Sequence, residues 1–130
     1  MMTFTMGVTV GQDGSLSLNQ TITGEGTDNR SVVVPAGAAA YEVEIAFRHE
    51  HLDVIAISTS VDLTLETNDT GASADDTFTL SADEAFIWTA KSGVPNPFTA
   101  DVTKFLFTDA DATADANVKI LCLRDATPAA

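Results

Sequence analysis

Two histidines, His49 and His51, stand two residues apart in "RHEHLD". On a strand that spacing puts both imidazoles on one face, where they could grip a single metal ion. A second candidate is the acidic run "TDADATADAN", in which Asp109, Asp111, Thr113, Asp115 and Asn117 alternate as the oxygen donors of a calcium loop do. An EF-hand loop also needs glycine at its sixth position and glutamate at its twelfth, and here those are Ala114 and Ile120. The run is therefore expected to be a solvated hairpin loop, with an irregular Ca²⁺ site on Asp109, Asp111 and Asp115 as its alternative. The loop "NDTGASADD", with Asp69, Asp75 and Asp76, reads the same way.

A cupin site would add a third histidine, a downstream glutamate and an upstream glycine to the histidine pair. The chain has only two histidines, and Leu52, Asp53, Val54 and Ile55 follow them. No metal is expected there; exposed histidines at a strand end are the plainer reading. Cys122 is the one cysteine, set in the apolar run "VKILCLR", so it reads as a buried thiol and forms no intrachain disulfide. No serine sits in a nucleophile elbow and no glycine-rich loop cradles phosphate. Neither a catalytic residue nor a cofactor is expected, and the protein is not read as an enzyme.

The aromatic stretch "FIWTAKSGVPNPF", residues 86–98, holds the only tryptophan. Phe86 and Trp88 share a strand face opposite Ile87, which fits a sandwich corner with the two rings in the core and "KSGVPNP" as an exposed loop. A contact with a neighbouring subunit through Trp88, or a glycan platform, are the functional alternatives.

The elements that must position these residues are strands. Met2, Phe4, Met6, Val8 and Val10 alternate with threonines, "GQDG" turns the chain with Gly11 and Gly14 free to take positive φ, and Leu16, Leu18 and Ile22 continue an apolar face. "TGEGTDNR" reads as a polar loop and "SVVVP" as a short strand. The cleanest alternation places Tyr41, Val43, Ile45 and Phe47 inward against Glu42, Glu44 and Arg48. Val54–Ile57 and Leu121–Leu123 are apolar on both faces, as strands buried on both sides would be. Eight to ten short antiparallel strands with frequent turn signals and no amphipathic helix predict an all-β fold, a β-sandwich of jelly-roll type. It is one domain over residues 1–130, with an N-terminal hairpin or arm over 1–24 and a loose tail over 126–130.

Bulk properties agree. A chain of 130 residues buries roughly two-thirds of its unfolded surface without a disulfide or metal. Nineteen acidic against six basic residues give a formal charge of −13, and the cations are scattered, so a nucleic-acid partner is not expected. No apolar run reaches the roughly 18 residues of a membrane span. The start "MMTFTMGVTV" lacks a signal-peptide pattern, so synthesis in a cytoplasm is expected and the Asn-X-Ser/Thr matches at Asn19, Asn29 and Asn68 carry little weight.

From Ser31 onward, "VVVPAG", "EVEIAF", "LDVIAISTSVDLTLETN", "DDTFTLSADEAFIWT", "NPFTADVTKFLFTDA" and "VKILCLRD" follow in an order and spacing that resembles the jelly-roll decoration, or cement, proteins of tailed-bacteriophage heads. The resemblance covers roughly residues 31–125 and leaves the N-terminal hairpin outside. It implies a non-enzymatic virion protein on the outer surface of the capsid, made in the host cytoplasm. It further implies a homotrimer that binds the major capsid protein. Candidate contacts are Met2, Phe4, Met6 and Val8 on the arm and Trp88, Val94 and Phe98 at the corner. A carbohydrate-binding or adhesin module, and another virion part such as a tail or head fibre, are the alternatives.

Overall fold

The computed structural model describes residues 2–10, 16–24, 26–68, 74–90 and 92–124. Ten strands run through them: β1 Met2–Val10, β2 Leu16–Gly24, β3 Gly26–Val34, β4 Tyr41–Phe47, β5 Leu52–Thr59, β6 Leu63–Thr67, β7 Thr77–Leu80, β8 Phe86–Thr89, β9 Val102–Thr108 and β10 Ala116–Arg124. All pairings are antiparallel. The first sheet has the order β3-β10-β5-β8 and the second β4-β9-β6-β7, while β1 and β2 pair only with each other. Consecutive strands of the sandwich thus cross between the sheets, except for the β6–β7 hairpin within the second, which is jelly-roll connectivity. The expected turn glycines Gly11 and Gly14, loop residue Asp69 and the tail lie outside the described residues. So do the side chains of Met2, Phe4, Met6 and Val8.

Alternation sends one side of each strand into a single core. Val43, Ile45, Phe47, Leu63, Leu65, Phe105 and Phe107 from the second sheet meet Val34, Ile55, Ile57, Val118, Ile120 and Cys122 from the first. "TGEGTDNR" departs from the sequence reading: β2 runs to Gly24 and β3 begins at Gly26, because β10 extends to Arg124 and its backbone groups find partners down to Gly26. A bulge explains the doubly apolar start of β5. Leu123 pairs with Val54 but Arg124 pairs with Leu52, so Asp53 is the extra residue and Leu52 turns inward while Val54 turns outward.

Phe98 plugs one end of the sandwich. It lies in the loop between β8 and β9, is 2% exposed, and its ring sits 5.2 Å from that of Phe47, 5.3 Å from Phe78 and 6.2 Å from Phe105. That removes it from the candidate contacts. The aromatic that ends "GVPNPF" is held by the core, and its edge-to-face neighbours leave no face for a partner.

Candidate interaction surface

Most of the residues that could have done chemistry are occupied in tying loops together. His49 and His51 form a 3-10 turn rather than a strand. With three residues per turn, positions two apart diverge by about 120°, so the shared face expected of the pair is lost. His49 instead bonds Asp101 through Nδ1, 2.8 Å from Oδ1, and donates its backbone N–H to the same oxygen at 3.1 Å. The side-chain bond, then the backbone bond, hold the Asp101 carboxyl below its ordinary value. Asn96 adds a staple, with Nδ2 donating to the His49 carbonyl at 2.7 Å and Oδ1 accepting the Phe98 N–H at 2.9 Å.

Asn68 is the hub of the same end, and sequence reading passed over it except as a glycosylation match. Its φ of 55° lies in the left-handed region that asparagine tolerates. Nδ2 donates to the Asp101 carbonyl at 2.6 Å and to Asp75 at 2.8 Å, while Oδ1 accepts from Thr103 N at 2.8 Å and Oγ1 at 3.0 Å. Asp76 accepts both the N–H and the hydroxyl of Thr99 at 2.9 Å. Asp75 and Asp76 are therefore loop fasteners.

The acidic run does the same at the Pro35 turn. Asp109 is only 1% exposed; its Oδ1 accepts the Asp111 N–H, and its Oδ2 has no hydrogen-bond partner among the described residues. Asp111 caps Thr113 through N–H and hydroxyl at 2.8 Å, which lowers its carboxyl pKa, and Asp115 accepts the Ala36 N–H at 2.9 Å. The three carboxylates face three different tasks. Among the described residues no three His, Cys, Asp or Glu side chains gather as a metal ion would require. Cys122 is fully buried in the core.

Trp88 packs half-buried against the core, and its indole N–H donates to the Val94 carbonyl at 2.9 Å. Ser92 bonds the Thr89 carbonyl and receives the Val94 N–H, so the corner is folded tightly on β8 while the Val94 side chain is 61% exposed. A stacking platform would need an open ring; here the ring is a packing element, with Val94 as the projecting point.

What remains for recognition is the outward side of each sheet. The second sheet shows Glu42, Glu44, Glu66, Thr64, Thr77, Thr79 and Lys104, with Lys104 Nζ 3.8 Å from Glu42. A polar groove of about 590 Å³ runs beside it, but the Arg30 guanidinium there donates to the Glu44 carbonyl. The first sheet differs. Its outward rows are Leu123 with Val54 and Thr89, then Asn29 with Leu121, Ala56 and Ile87, then Ser31 with Lys119 and Ser58, then Val33 with Asn117.

Val54, Leu123 and Thr89 are at most 1% exposed, although neither Val54 nor Leu123 belongs to the core between the sheets. β2 approaches β5 and β10, so the N-terminal hairpin covers that row. Apolarity on both faces of β5 and β10, expected of strands buried on both sides, is in this row satisfied within one chain. Beyond the hairpin the face is bare. Ile87 is 48% and Val33 54% exposed, and a shallow groove of about 260 Å³ lies over Ala56, Leu121 and Lys119.

No protein-family model matches the chain, and neither a curated protein nor a solved structure is found similar to it.

Proposed function

We propose that this protein is a structural component of a tailed-phage virion. In that role it is a decoration protein that binds the outside of the head shell and ties neighbouring capsid subunits together, as a trimer. One observation supports the reading above others. The polar and acidic side chains that might have formed a reactive site are spent on holding loops. The large apolar side chains left exposed among the described residues are Val33 and Ile87 on the outer face of the first sheet, Val94 at the corner and Tyr41 at the start of β4, which suits an adhesive rather than a catalyst. The jelly roll of β3 to β10 is in keeping with the resemblance read from the sequence over residues 31–125. A net charge of −13 suits a coat that faces away from packaged DNA. Modest contacts repeated over a lattice give avidity without any single strong site.

The test is localisation. Purified virions are expected to carry the chain on the head surface at regular positions by electron cryo-microscopy, and heads lacking it are expected to melt at lower temperature. Virions without the chain, or bare heads of unchanged stability, would overturn the proposal.

A further inference from the structure

We infer that the bare part of the first sheet's outer face is the docking surface for a second copy of this chain. Charge singles it out. The uncovered rows hold Asn29, Ser31, Val33, Ala56, Ser58, Ile87, Asn117, Lys119 and Leu121, with no aspartate or glutamate among them. The chain as a whole carries 19 acids and a net charge of −13. The acids of this sheet lie outside those rows, with Asp28 on β3, Asp53 at the β5 bulge, and Asp83 and Glu84 in the turn before β8. Two such molecules repel through most of their surfaces, and this face is where they approach without like-charge contact. A basic partner would select the opposite sheet, with Glu42, Glu44 and Glu66. A nucleic acid would need more cations than Lys119. An acidic neighbour with apolar groups is what the face accepts, and another copy is that molecule.

Continuity points the same way. The face already takes β-structure of this sequence over Val54 and Leu123, and the bare rows extend that contact without a break. The bare part is about 270 Å² from strand spacing and rise, well under the roughly 800 Å² per partner of a standard interface. The contact is therefore weak in free solution and is filled at high concentration or where copies are held side by side. It adds a surface to the decoration reading but does not depend on it.

Sedimentation of the full chain at concentrations up to about 1 mM tests it. Reversible self-association is expected, weakened roughly 100-fold by Ile87→Glu, which places an unpaired carboxylate in the contact. Val33→Glu, at the opposite edge, is expected to weaken it too, and Val94→Glu at the corner to leave it unchanged. A thermal melt checks that each variant is folded. A chain monomeric throughout, or association untouched by both face variants, overturns the inference. So does a monomeric chain whose attachment to heads is lost with Ile87→Glu, since the occupant is then the shell. Monomers that still decorate heads would sink this contact alone; an associating chain absent from virions would sink only the decoration reading.

Discussion

The two outer faces of this sandwich are built from four strands each and treated in opposite ways. On the second sheet one large apolar side chain, Leu106, points outward between Glu42 and Glu66 and is still only 7% exposed, because the stems of its charged neighbours lie around it. On the first, Val54 and Leu123 are sealed by the hairpin, and the rows beyond are left bare. An outward apolar residue can thus be shielded by neighbours, by another part of the chain, or by nothing. Only the last leaves a surface for a partner.

The comparison breaks most visibly at Leu123. Leu123→Asp would place an unpaired carboxylate under the hairpin and is expected to cost about 4 kcal/mol in urea unfolding. A change near zero would mean the hairpin does not cover that row. Leu106→Ala sharpens the contrast from the other side. Flexible stems can close over the gap, so the loss is expected at about 1–2 kcal/mol in the same assay, below the usual range for a leucine fixed in a core. A loss as large as that at Leu123 would mean the charged stems pack as rigidly as a strand.

The smallest effect belongs to the end where both faces are tied, at His49–Asp101. Because Asp101 has a lowered carboxyl pKa when folded, its contribution to stability is complete above the unfolded value of about 3.8 and fades as pH falls through the folded one. The difference in unfolding midpoint between the parent protein and His49→Ala should therefore shrink between about pH 5 and about pH 3. A difference that stays constant with pH would show that the bond is not made to the carboxylate.

Much of this was legible in the sequence because alternation is a strong signal. The alternation from Val43 to Phe47 announces a strand with one buried face, and it is one, although Tyr41, expected inward with them, is 38% exposed at the strand's start. The corner at Trp88 was legible too, since its aromatics and its Gly-Pro loop have different physical uses. Phe98 was not: it lies in a loop, where no period exists to say which way a side chain points. The bulge at Asp53 was hidden for a related reason, because one extra residue reverses the parity on which the reading depends. Asn68 matters through backbone groups far along the chain, at Asp101 and Thr103, and residue type alone does not reveal such partners. Nor can a doubly apolar strand say whether its second cover comes from the same chain or another.

The strand order has a consequence for how the protein is made. β9 is the middle partner of β4 and β6, and β10 is the middle partner of β3 and β5. Until these last two strands leave the ribosome, β3 and β4 have no sandwich neighbour, and β5 with β8 and β6 with β7 are isolated pairs. Folding must therefore wait for nearly the whole jelly roll to be synthesised, and it begins with pairings of long sequence separation, the slow class. During that interval the half-built sheets expose open edges, and a net charge of −13 opposes the approach of one incomplete copy to another.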